Sequence, residues 1–138
     1  MNAQARVGHC YDTGQGVRPN RTAALYWYHR AYRRGDATAA HNIGTIWRDE
    51  QNVRRAEEWF QRAVRLGHED AHLDIAKLNC EISGTPEKAI QHLLRVLRSE
   101  RVTRSDKREA SLLLKRVQTI KGGARRLSRS SSAAARIR

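Results

Sequence analysis

The sequence predicts an all-α solenoid of about three helix-turn-helix repeats, followed by one further helix and a disordered basic tail. Three observations predict it. Chemically similar residues recur at spacings of 36 and then 32 along the chain. Within each period the apolar residues fall at i, i+4 and i+7, which is one face of a helix. No stretch alternates apolar and polar residues in the manner of a half-buried strand. A single helical hairpin cannot bury its own apolar face, whereas stacked hairpins bury each other's.

The period is read from matched pairs. Gly8 and Gly44 lie 36 apart, as do Tyr11 and Trp47. Trp27-Tyr28 and Trp59-Phe60 lie 32 apart, as do Ala31 and Ala63, and Gly35 and Gly67. The change of spacing places a four-residue deletion between Trp47 and Ala56, where the first unit has DTGQGVRPN and the second only DEQN. A fainter third unit sets Ala76, Ala89, Leu93 and Val96 against Gly44, Ala56, Phe60 and Ala63. The units span about residues 2–36, 37–68 and 69–100.

The first helix of each unit carries an apolar stripe: Ala3, Val7, Cys10; then Ala39, Ile43, Ile46; then Ala71, Ile75, Leu78. The second helices carry Ala24, Trp27, Tyr28, Ala31 and then Ala56, Trp59, Phe60, Ala63. They end at Gly35 and Gly67, where glycine suits a left-handed C-terminal position. Pro86 opens the second helix of the third unit, where its missing N–H costs little. Thr103 followed by Asp106 resembles a capping box for a last helix over 104–120, with Ala110, Leu113, Leu114, Val117 and Ile120 as its apolar face. Gly8 and Gly44 are read as points of close helix approach, where a Cβ would hold the backbones apart. Trp27 and Trp59 are expected to fill the space between hairpins.

The sequence carries 27 basic and 14 acidic residues, for a net charge of +13. Residues 101–138 hold 12 of the basic and only 2 of the acidic ones. Residues 1–120 read as the solenoid. Within 121–138, the stretch GGARRLSRSSSAAARIR has two large apolar side chains, too few to offset chain entropy, and predicts a disordered tail. Arg125, Arg126, Arg129, Arg136 and Arg138 could bind phosphates of a nucleic acid, in a sequence-tolerant and salt-sensitive way because no aromatic lies among them. An anionic membrane surface or an acidic protein fits the same charge. No apolar run approaches the roughly 18 residues of a membrane helix. No secretory signal is recognisable, so the expected compartment is the cytoplasm. The chain begins directly at its first helix, which leaves that end of the stack expected to meet a partner, a second copy or a neighbouring repeat.

The run Ala5-x-x-Gly8-x-x-Tyr11-x-x-Gly14-x-Gly16-Val17, followed by Ala23-Ala24-x-x-Trp27-Tyr28-x-x-Ala31-x-x-x-Gly35, resembles the Sel-one-like repeat, a longer-looped relative of the tetratricopeptide repeat. Unit two keeps the helices without the Gly-x-Gly-Val loop, and unit three matches by register. The resemblance covers about residues 2–100. It implies a right-handed superhelix of helix pairs acting as a scaffold or adaptor, with no enzyme activity.

Catalytic and metal readings fare poorly beside this. His68-Glu69-Asp70-Ala71-His72 fits H-E-x-x-H, which on one helix would bring both imidazoles to a zinc ion. Gly67 ends the preceding helix, however, so His68 falls in a turn and the pair need not share a helical face. Glu69 and Asp70 there suit the positive end of the next helix. Thr13-Gly14-Gln15-Gly16-Val17 lacks the Lys and the preceding strand of a phosphate loop. Cys10 and Cys80 form neither a disulfide framework nor a CxxC pair, and Cys10 lies on the apolar stripe. His9, His29, His41 and His92 share no metal-ligand spacing. No cofactor and no metal are expected.

The remaining candidate is the polar face of the first helices. Asn2, Arg6, His9, Thr13; Thr38, Asn42, Thr45, Asp49; and Asp70, Asp74, Lys77, Glu81 each follow i, i+4, i+7, i+11. Arg6, His9, Asn42, Thr45, Asp49, Asp74 and Lys77 are the residues expected to meet an extended peptide or a loop of another protein.

Overall fold

Polar caps and left-handed glycines divide the chain into helices where the periodicity places them. The computed structural model describes residues 2–81 and 84–136, with side chains described to residue 123. Among the described residues it contains seven helices and no strand: α1 (Ala3–Thr13), α2 (Arg21–Arg33), α3 (Ala37–Asp49), α4 (Val53–Arg65), α5 (Ala71–Glu81), α6 (Pro86–Arg98) and α7 (Arg104–Arg136). Each helix packs on the next, so α1/α2, α3/α4 and α5/α6 stack as hairpins and α7 closes on α6. This is an α-solenoid.

Asn2, Asn20, Asp36 and Asn52 cap α1 to α4. Their side chains accept from the N–H groups of Ala5, Ala23, Ala39 and Arg55 at 2.9, 3.0, 3.0 and 3.2 Å. Each satisfies a donor that the first turn leaves without an intrahelical partner. At the other ends, Gly35 and Gly67 have φ of 85° and 95°. The following N–H groups, of Asp36 and His68, return to the carbonyls of Ala31 and Ala63 at 3.2 and 3.0 Å. That pattern requires a left-handed residue, as the sequence predicts. The second oxygen of Asp36 accepts from the backbone N–H of Asn2 at 2.8 Å, joining the starts of α1 and α3. Asp36→Ala removes a cap and a cross-hairpin bond together. We expect it to cost about 1–2 kcal/mol, read as a lowered urea midpoint at unchanged m-value.

The core is laid down by glycine and aromatic pairs. A Cβ built on Gly8 would lie 2.8 Å from Cδ1 of Tyr28, and one on Gly44 would lie 2.7 Å from Cδ1 of Phe60. Both rings are fully buried. The third hairpin replaces these pairs with Ala76 and Leu93, both also fully buried. Trp59 is buried between hairpins, edge-on to His29 and Tyr32 at 5.0 and 4.9 Å, with the Arg62 guanidinium 4.4 Å from its ring centre.

Four expectations need correction. Trp27 is only half-buried, against Tyr26 and Arg30, and does not fill the space between hairpins as Trp59 does. Val7 is 38% exposed and Cys10 half-buried, although their equivalents Ile43, Ile46, Ile75 and Leu78 are buried. α3 and α5 each pack on the preceding hairpin as well as on their own partner, whereas α1 packs chiefly on α2 and buries Ala5 and Gly8. Ile120 is 64% exposed. The helical period carries the α7 contact from Ala110 and Val117 to Lys121, whose ammonium meets Glu87 at 3.4 Å. Finally, α7 does not stop at residue 120: its backbone is helical to Arg136, where a disordered tail is predicted. Elongating a formed helix adds a hydrogen bond per residue without a new nucleus, and Ala and Arg are good helix formers, so helix here needs no apolar burial.

At its start α7 forms one half of the predicted capping box, the bond from the Asp106 N–H to Thr103, while the Asp106 carboxylate takes the Thr103 hydroxyl and not its backbone N–H. The Thr103 hydroxyl accepts from the Asp106 N–H at 3.2 Å and donates to the Asp106 carboxylate at 2.6 Å.

Candidate functional site: the polar face of the first helices

The residues predicted to receive a partner divide into two groups. Asp74 and Lys77 are committed within the fold. Asp74 accepts from Nε2 of His41 at 2.9 Å and lies 3.4 Å from the Arg48 guanidinium, tying α5 to α3. Lys77 meets Glu109 at 2.7 Å, tying α5 to α7. Thr45 donates to the His41 carbonyl at 3.2 Å. Asn42 reaches the Tyr28 hydroxyl, which donates to Asp12 at 3.4 Å. Burial and the Asp12 carboxylate push the Tyr28 phenol well above its ordinary value, so it remains a donor. Arg6 and Asp49 are exposed, and His9 is half-buried. Asp49 shares Arg48 with Asp74, at 3.4 Å.

The residues missed by the sequence reading are His41, Arg48 and Asp36. His41 and Asp74 are separated by one repeat, so the spacing of 33 is itself the signal that two adjacent first helices bring them together. The His68 ring lies 4.7 Å from that of His41. Burial first, and His41 next, lower the His68 pKa, while Asp70, Asp74 and Asp36 oppose the shift. His68 is therefore a neutral neighbour of an acidic cluster that already has His41 and Arg48 as partners.

The H-E-x-x-H spacing does not make a site. His68 precedes α5 and turns toward His41, whereas His72 sits on α5 with Nδ1 2.9 Å from Nδ1 of His92. Among the described residues no group of three His, Cys, Asp or Glu side chains is placed to hold a metal ion. The glycine loop is a helix end: Gly14, at φ 78°, donates to the Cys10 carbonyl at 2.9 Å. The Cys80 thiol is pushed up by burial and by Glu81, which keeps it protonated and a poor nucleophile. The side chains of Arg125, Arg126, Arg129 and Arg136, and all of Arg138, lie outside the described residues.

Stacked helical hairpins that bury one another's apolar faces define a helical-repeat protein of the α-solenoid class. A family model described as Sel1 repeat matches residues 2–36 and 39–68. Those two segments, just under half of the chain, are thus similar to Sel1 repeats. The chain is also similar to a Sel1 repeat protein from Oxalobacter formigenes seen in a crystal structure. The similarity is 27% in sequence, with a TM-score of 0.59, over 67% of this chain and 40% of that one. The chain thus matches less than half the length of that protein. No described helix is long and apolar enough to cross a membrane.

Proposed function

We propose that this chain is a non-enzymatic protein-interaction scaffold that receives an extended peptide or loop along its first helices. The observation that carries the reading is the division just described. Asp74 and Lys77 brace adjacent helices, while Arg6 and Asp49 remain exposed on the same succession of helices, with Asn42 between them. Rigid helices carrying exposed charge of both signs favour a partner with a matching pattern, because like-charge juxtaposition rejects others. The similarity of residues 2–36 and 39–68 to Sel1 repeats supports the scaffold role.

The test is capture of proteins from source lysate by the tagged chain, before and after nuclease treatment. We expect a discrete partner retained after nuclease, lost on Arg6→Glu combined with Asp49→Lys, and unaffected by deletion of residues 122–138. Capture that disappears with the nucleic acid, or with that deletion, would sink the reading. It would move the function to the basic C-terminal segment, whose binding should fall steeply with salt.

A further inference from the structure

On the opposite side of α5 from the braced acidic cluster, the second helices form a cationic cleft. A cavity of about 280 Å³ lies between α4, α5 and α6, with Arg65, His72, His92 and Arg95 on its walls. It adjoins a second hollow where Arg95 and Arg98 face Glu69. Among the described residues Arg65, Arg95 and Arg98 form no salt bridge. Among the described residues that line the two hollows the one carboxylate is Glu69, which accepts from the Ser99 hydroxyl.

The floor of the cleft is the imidazole pair. His72 is 8% exposed, and its Nδ1 meets Nδ1 of His92 at 2.9 Å. A hydrogen bond between two neutral rings at these atoms needs one Nδ1–H donor. The accepting ring must then carry its own proton on Nε2, which leaves an N–H donor available beyond the pair. Cationic side chains around the pair disfavour a metal ion and favour an anion. Guanidinium groups match tetrahedral phosphoryl oxygens with paired N–H bonds. A cavity of this volume lies at the small end of the range for small-molecule sites.

We propose that the cleft between α4, α5 and α6 binds a phosphoryl group, with Arg65 and Arg95 as its charge partners and the one free Nε2–H of the His72–His92 pair as a donor beneath. The phosphoryl group comes either from a small phosphorylated metabolite or from a phosphorylated side chain of a bound protein. The site is independent of the peptide-receiving face, since it uses none of its residues.

The experiment is titration of the full chain with inorganic phosphate, glycerol phosphate and a phosphoserine peptide beside its unphosphorylated form, at constant ionic strength. The readout is the imidazole C–H resonances. We expect saturable shifts of the His72 and His92 signals, with the other four imidazoles unmoved. Affinity should fall at least tenfold in Arg65→Gln and in Arg95→Gln. Both arginines are exposed, so these variants should keep the parent far-ultraviolet circular dichroism. Tighter binding of glycerol phosphate assigns a metabolite; tighter binding of the phosphopeptide over its unphosphorylated form assigns a modified protein. Linear, non-saturating shifts for all three probes would overturn the proposal. So would binding that survives both substitutions.

Discussion

Phe60→Ala is expected to cost about 3–5 kcal/mol, the loss typical of truncating a buried aromatic that its surroundings cannot replace. Phe60 is fully buried, and the backbone it packs on belongs to Gly44, where even a methyl group would come within 2.7 Å of two ring carbons. α3 cannot move closer to refill the space without pulling away from α2, on which it also packs, and from Asp74 of α5, which holds His41 and Arg48. Thermal unfolding should therefore begin at a temperature lower by roughly 15 °C or more. Gly44→Ala tests the same contact from the other side. Alanine favours a helix interior by about 1 kcal/mol over glycine, yet crowding against the ring typically costs 1–3, so a net loss is expected. With Phe60→Leu in the same chain, the Gly44→Ala cost should shrink by about 1 kcal/mol or more. Simple additivity in urea unfolding would show that ring and backbone do not press on one another.

Acidification supplies the second large effect. His92 has its pKa lowered to about 4, first by burial and then by His72 and Arg95. His72 is lowered by burial and Arg95, His68 by burial and His41, and His29 by burial, Arg33 and Arg62. Each binds its proton less readily when folded than when unfolded. The stabilisation is therefore complete above the unfolded value near 6.5, and it is lost as pH falls from there toward the folded value. His92 alone contributes on the order of 1–2 kcal/mol of loss by pH 5, after discounting for the solvent its ring still meets. The other three add in the same direction. Unfolding temperatures compared at pH 7.5 and 5 should drop by several degrees, with a smaller drop in His92→Gln. A chain equally stable at both values would show that these rings are solvated enough to titrate normally.

The legible part of this fold was whatever repeats locally. The spacing of Gly8 with Gly44 and of Trp27-Tyr28 with Trp59-Phe60 gave the hairpins, because close approach and its filling ring are needed once per unit. Gly35, Gly67 and Pro86 marked helix ends because their backbone chemistry leaves them few other places. The candidate site was legible only as a face. Which of its members are spent as braces depended on contacts between residues 26 to 33 positions apart, as with Asp74 against Arg48 and His41 and with Lys77 against Glu109.

The amino-acid sequence by itself determined that this chain is a stack of helical hairpins with a polar edge and a basic C-terminal third. Those properties follow from periodicity, turn chemistry and charge counting, each readable within one unit. Only the tertiary structure decided which stripe of α1 is buried, which polar residues stay exposed, and that His72 and His92 meet beneath Arg65 and Arg95. Those outcomes depend on how one hairpin is rotated on the next. That rotation is set by packing side chains of several helices at once, so no single helix encodes it.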